Sequence, residues 1–154
     1  MRDKLPVLCL SLLMILLLFT LPGCSRQSTN TTSVTSTTTG GEPAYAPAIV
    51  DNLLQALNKD DYAGYTKDFD SAMKSAMTET VFEQTYTTIQ DRIGEYVSRE
   101  YTDTQTQDGY TVVFYKAKFS KEPADVTMKF VFQESGGKAL IAGLWFTSPK
   151  LSGQ

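Results

Sequence analysis

The 154-residue sequence contains no histidine. That absence removes His-based triads, imidazole acid–base chemistry and every metal site built on imidazole. Cysteine is nearly as scarce: Cys9 and Cys24 are the two present, and both precede residue 25. The rest of the chain therefore holds neither a disulfide nor a thiolate metal cluster. Like charge never runs longer than the Asp60-Asp61 pair, and 17 acidic residues stand against 14 basic ones. A phosphate-binding stripe for nucleic acid is excluded on that ground. Gly-x-Ser-x-Gly elbows and phosphate-cradling glycine loops are missing,. Asp103 and Asp108 fall short of the alternating acidic residues that a calcium loop needs,. No cofactor is indicated. What remains, 42% hydrophobic and 20% charged, is the composition of one ordinary globular domain.

The chain starts with Met1-Arg2-Asp3-Lys4, followed by an apolar run from Leu5 to Leu21 broken only by Pro6, Ser11 and Thr20. A charged start before an apolar stretch is the pattern of an export leader, to be set aside from the fold. Leu21-Pro22-Gly23-Cys24 comes next. It resembles the lipobox of prokaryotic lipoproteins, with Leu21, Gly23 and Cys24 at matching positions. The resemblance implies a signal peptide over residues 1–23, cleavage before Cys24 and acylation of its thiol. The alternative is an uncleaved signal anchor with an incidental thiol. In both cases Arg2 and Lys4 stay on the cytoplasmic side, so everything after residue 24 crosses the membrane. The expected location is the cell membrane, lipid-anchored, with the domain on the extracytoplasmic side. Two or more acyl chains hold firmly, at about 0.8 kcal/mol per buried methylene.

Residues 24–42 form the expected linker. From Ser25 to Thr39 there are 11 Ser or Thr in 15 residues, with Val34 the one apolar side chain. Such a stretch lacks the apolar area to offset its ordering entropy. It is expected to be solvated, and the Asn30-Thr31-Thr32 sequon leaves open a glycosylated stalk. Removal of the leader leaves 12 basic against 16 acidic residues, a mildly acidic exported chain.

The folded unit is expected over residues 43–150, with a tail at 151–154. Ile49, Val50, Leu53, Leu54 and Leu57 make one stripe of an amphipathic helix from Ala46 to Asn58, with Pro47 in its first turn,. Asp61 to Asp68 reads as a short second helix, and Ala72, Met73, Ala76 and Met77 occupy a further turn. Thr78 opens a third long helix whose buried face is Phe82, Tyr86, Ile89 and Ile93 and which stops at Gly94,. The period then changes from 3.6 to 2. Tyr96–Thr106 and Tyr110–Tyr115 flank a Gln107-Asp108-Gly109 turn, so they predict a hairpin. Val126, Met128, Phe130 and Phe132 alternate with polar or smaller residues along a half-buried strand. After the Ser135-Gly136-Gly137-Lys138 turn, Ala139–Phe146 is apolar on both faces, as expected of an inner strand covered by helices. The order predicts an α+β fold, three helices on a curved antiparallel sheet of about four strands.

Leu57-Asn58-Lys59-Asp60-Asp61-Tyr62, Phe69-Asp70-Ser71-Ala72-Met73-Lys74, Ile93-Gly94 and Gly143-Leu144-Trp145-Phe146 resemble the exported domain-of-unknown-function family numbered 3887. That family is similar in outline to the nuclear-transport-factor-2-like, or cystatin-like, cone. The resemblance implies helices wrapped by a curved sheet and no established reaction. In such a cone Tyr62, Tyr65, Phe69, Tyr86, Tyr115, Phe130 and Trp145 are placed either to pack as core or to line a pocket for a small apolar ligand. Catalysis would need a carboxylate base and a tyrosine donor. The one arrangement available is Asp70 with Tyr62 or Tyr65, and the alternative for Asp70 is a helix N-cap. Three readings follow. The first is a lipid-anchored, non-catalytic domain that binds a small apolar ligand or an envelope protein. The second is a His-independent isomerase or lyase. The third is an accessory module for envelope assembly or transport.

Overall fold

The computed structural model describes residues 40–153. The leader, Cys24, the Ser/Thr-rich stretch to Thr39 and Gln154 lie outside the described residues. Helix α1 spans Ala46–Asn58 with Pro47 in its first turn. It buries Val50, Leu53, Leu54 and Leu57, four of the five stripe positions; Ile49 is half-buried. Asp60, at φ 55°, reverses the chain. Asp61 then caps α2 (Tyr62–Thr66) by accepting the Gly64 N–H at 3.0 Å. Helix α3 (Ser71–Ala76) is capped by Asp70, and α4 (Glu79–Arg92) by Thr78. The segment expected as a further turn is thus a fourth helix, with the Asp70 carboxylate accepting its Met73 N–H as the N-cap alternative for Asp70 implies,. Among the described residues no helix is long and apolar enough to cross a membrane.

Four strands follow: β1 (Tyr96–Gln107), β2 (Tyr110–Phe119), β3 (Glu122–Ser135) and β4 (Lys138–Thr147). They pair antiparallel in the order β1-β2-β3-β4. Two of the turns carry left-handed residues at both central positions, Asp108-Gly109 and Gly136-Gly137. That geometry matches the twist of the strands it joins. Register shifts after Tyr101, Ala117 and Val131 bend the sheet, since each extra residue kinks its strand. Met128, Phe130 and Phe132 face inward with Val113, Tyr115, Ala117 and Ile141, all at most 1% exposed. They pack on α1 and on Phe69, Phe82, Ile89 and Ile93, giving one core between sheet and helices.

One expectation is corrected. The strand Lys138–Thr147, expected as an inner one, is an edge strand. Its apolar run serves two surfaces: Ile141, Leu144 and Phe146 face the core, while the Trp145 ring folds back over Gly143 on the outer face. The edge is closed at Ile141 alone, by a parallel bridge to Phe69. There Ile141 N–H donates to the Asp68 carbonyl at 2.8 Å and its carbonyl accepts Asp70 N–H at 2.9 Å. Asn58 ties α1 to β1 through both ends of its amide, donating to the Tyr96 carbonyl at 2.8 Å and accepting Tyr96 N–H at 2.9 Å.

Candidate functional site

The aromatic residues singled out above fall into two packed groups and one outlier. Tyr62, Tyr65, Phe69 and Tyr86 gather around Phe82 beneath the helices, with ring centroids 5.0–6.3 Å apart. Tyr115 and Phe130 meet edge-on at 5.8 Å on the sheet. Tyr65, Phe69, Tyr115 and Phe130 are closed off from solvent. Their rings pack on one another, and burial pushes the Tyr65 phenol well above its ordinary range,. Trp145 stands apart, 51% exposed on the outer face, with Lys129 Nζ 4.9 Å from its ring centroid.

Asp70 is 7% exposed and both its oxygens are engaged. Oδ1 accepts the Met73 N–H at 2.7 Å and Oδ2 accepts the Gln133 amide at 2.9 Å. It caps α3 and pins that cap to β3; the Tyr62 hydroxyl donates elsewhere, to the Met77 carbonyl at 2.9 Å. Ser71 and Lys74 share Ser-x-x-Lys spacing on α3, but both are exposed and no hydrogen bond joins them.

A polar cluster that the sequence did not disclose lies on the inner face of the sheet. Arg99 of β1 sits opposite Ala117 of β2, whose small side chain leaves room for a guanidinium, and its side chain is only 11% exposed. Nε donates to Asp51 Oδ1 at 2.8 Å, Nη2 to the Pro47 carbonyl at 3.2 Å and Nη1 to Glu42 Oε1 at 3.2 Å. The guanidinium carbon lies 4.5 Å from the Tyr115 ring centroid, a cation–π stack,. Tyr115 donates its hydroxyl to the same Glu42 oxygen at 2.7 Å. Burial, then that bond to Glu42, pushes the Tyr115 phenol far up. Burial opposes the Arg99 charge, but Asp51 and Glu42 outweigh it and raise its already high value.

Glu42 belongs to a segment that composition assigns to the linker. Residues 40–45 instead lie as a strap on the domain. Gly40 N–H reaches the Thr104 carbonyl at 3.4 Å, its carbonyl accepts the Tyr101 hydroxyl at 2.6 Å, and Tyr45 packs on Phe132 at 5.3 Å. The physical reason is that the inner end of β1 offers Arg99, Tyr101 and Thr104, polar groups that need partners once covered.

A second feature is open. Val81, Thr85 and Thr88 of α4 face Leu144, Trp145 and Phe146 of β4 across a cleft of about 400 Å³. Val81 is exposed there, and Trp145 borders the cleft with its exposed ring turned over Gly143 on the outer face. Beyond Ile141 the outer edge of β4 makes no further backbone hydrogen bond among the described residues.

A family model described as a protein of unknown function, DUF3887, matches residues 50–139. The chain belongs to DUF3887. No curated protein matches it. Among solved structures it is similar to RPA3114, a SEC-C motif containing protein from Rhodopseudomonas palustris, at 9% identity and a TM-score of 0.51. That likeness covers 68% of this chain and 80% of the other. A protein titled Rd1NTF2_05 matches at 15% identity and 0.47, covering 66% and 96%. An NTF2-like protein of unknown function from Cytophaga hutchinsonii matches at 11% and 0.37, covering 70% and 94%. At these identities the likeness is one of fold, and the first of the three carries it. The DUF3887 match includes Asp51, Arg99 and Tyr115 but neither Glu42 nor Trp145. The two features therefore differ: most of the polar cluster is family territory, whereas the strap and the β4 side of the cleft fall outside the matched residues.

Proposed function

We infer that this DUF3887 chain is an exported lipoprotein, held at the outer face of a membrane through Cys24, whose domain binds a partner and does not catalyse a reaction. The partner class that suits it is an envelope protein presenting an extended apolar segment. The α4–β4 cleft carries this reading, for it joins exposed Val81 to an edge strand open beyond Ile141, with the exposed Trp145 ring on the adjoining outer face of the same strand. An added strand gains affinity from main-chain hydrogen bonds and register from apolar contacts. Tryptophan is among the residues that dominate such interfaces. The chain's own Asp68–Asp70 segment already docks on this edge at Ile141, which supports the edge as an acceptor of extended chain. Interior packing by Tyr65, Phe69, Tyr115 and Phe130 argues against a small apolar ligand inside the cone. The lipobox-like Leu21–Cys24 and the hydroxyl-rich stretch behind it support the anchor.

Site-specific photo-crosslinking in intact cells tests the binding surface. A crosslinker at Val81 should give a discrete protein adduct that disappears with Trp145→Ala, while one at exposed Lys118 should not. No adduct at Val81, or the same adduct from both positions, refutes the site. For the anchor, globomycin or Cys24→Ser should leave a larger, unlipidated precursor; an unchanged mass refutes lipidation.

A further inference from the structure

We propose that Arg99 and Tyr115 form a carboxylate-recognition site on the inner face of the sheet, and that Glu42 on the Gly40–Tyr45 strap is its built-in occupant, exchanged for the carboxylate of a ligand. The site lies apart from the α4–β4 cleft and stands without it.

The donors are in place independently of the strap. Arg99 Nε is held by Asp51, Nη2 by the Pro47 carbonyl, and the plane of the guanidinium by the Tyr115 ring. Asp51 and Pro47 belong to α1, Arg99 to β1 and Tyr115 to β2, so three core elements fix the geometry. Nη1 and the Tyr115 hydroxyl are the donors left over, and both converge on Glu42 Oε1. Donors prearranged around one oxygen are what binds a carboxylate tightly, because little ordering is left to be done on binding.

The occupant is held more loosely than the donors. Gly40 to Pro43 have no regular secondary structure, and among the described residues the strap's backbone meets the sheet at Gly40 alone, through a long 3.4 Å bond to the Thr104 carbonyl and the bond at 2.6 Å that its carbonyl accepts from the Tyr101 hydroxyl, two residues away from Glu42. The Glu42 side chain is 25% exposed, so solvent reaches the site beside it. Exchange is also neutral in charge. With Glu42 in place one guanidinium faces two carboxylates, and a ligand carboxylate in the same position restores the same balance. The ligand class is accordingly a monocarboxylate on a flexible aliphatic stem, supplied either by a free short-chain acid or by a peptide C-terminus.

The test uses the full chain in detergent. Glu42→Ala should melt below the parent protein, and sodium propionate, which carries the same carboxylate on a short aliphatic stem, should raise its melting temperature saturably. Neutral propionamide and equal sodium chloride should not, and adding Arg99→Met should abolish the response. Should Glu42→Ala fail to fold, Glu42→Gln with hydrogen exchange takes its place. Loss of one charge-assisted bond should make propionate open the Gly40–Tyr45 amides at about tenfold lower concentration than in the parent. A peptide acid that binds well above propionate, and above its own C-terminal amide, assigns the source to a peptide; equal binding assigns it to a small acid. A folded Glu42→Ala indifferent to propionate, or strap amides that respond to propionate in neither protein, overturns the proposal.

Discussion

Replacing Arg99 by methionine keeps the aliphatic stem and deletes the guanidinium, and the cost follows from its surroundings. Asp51 is 47% exposed, so its bond counts as a surface pair, about 0.5 kcal/mol. The Glu42 bond, between side chains 11% and 25% exposed, is worth about 1 kcal/mol, and the charge-assisted bond to the Pro47 carbonyl about the same. Stacking on Tyr115 adds about 0.5 kcal/mol. The total is about 3 kcal/mol, at the lower limit of the roughly 3–5 kcal/mol for breaking a fully buried pair, because both carboxylates can rehydrate. For a domain of this size that lowers the melting temperature by roughly 10 °C. Urea unfolding followed by circular dichroism should show the midpoint fall with an unchanged slope. In a double-mutant cycle with Glu42→Gln, the combined loss should fall about 1 kcal/mol short of the sum, since one bond is counted twice. A loss below about 1 kcal/mol for Arg99→Met would refute the reasoning and reduce the cluster to ordinary surface pairing.

Three further outcomes are expected. Asn58→Ala removes both bonds to Tyr96 and should cost about 2 kcal/mol; Asn58→Asp should recover none of it, since a carboxylate oxygen would face the Tyr96 carbonyl, and a stable Asp variant contradicts the amide orientation. Gly94 has φ 80°, and a Cβ there would collide with Ser120 Oγ, so Gly94→Ala should cost about 1–3 kcal/mol; chemical denaturation of Gly94→Ala with and without Ser120→Ala should show that removing the hydroxyl relieves only the collision, not the backbone strain. Burial works to raise the Glu122 carboxyl, but hydrogen bonds from the Ser148 hydroxyl and the Lys150 and Ala124 N–H groups hold it below the carboxylate range. A depressed folded value gives stability that is present above the unfolded value of about 4.5 and is lost as pH falls through the folded one,. Glu122→Gln should therefore flatten the acid limb of stability against pH and leave the limb above pH 6 unchanged in slope; an acid limb as steep as the parent's would contradict it.

Where one principle acts alone, the sequence is legible. The apolar stripe of α1 predicts Ala46–Asn58, the bounds observed, and the alternation from Val126 to Phe132 predicts which face of β3 is buried. Legibility fails where two demands share a segment. Ala139–Phe146 is apolar on both faces, which suits an inner strand, yet the outer-face demand is met locally by Trp145 lying over Gly143. The polar stretch Tyr96–Thr106 hides its inward residues because Arg99, Tyr101 and Thr104 are as polar as their outward neighbours. Only the cross-strand match of Arg99 to Ala117 marks the inner face. Glu42 is hidden further by its company, since Gly40 and Gly41 extend the linker composition past the point where the chain reaches the domain.

The chain joins the sheet beside β1, where Gly40 meets Thr104 and Tyr101, whereas the cleft lies along β4, at the other end of the strand order. Among the described residues the Gly40–Tyr45 strap therefore lies at the opposite edge from the cleft, and on the β4 edge only Asp68–Asp70 docks, at Ile141. Glu42 stands three residues after Thr39, at the start of the described residues. Any ligand that draws Glu42 off Arg99 and Tyr115 must move the strap. In the proposed exchange, occupancy of the inner face is thereby coupled to the position of the strap, without change at the β4 edge. That separation is measurable: propionate should change exchange at Gly40–Tyr45 while the emission of Trp145, the one tryptophan in the chain, stays constant. A parallel change in both would show that the two edges are not independent.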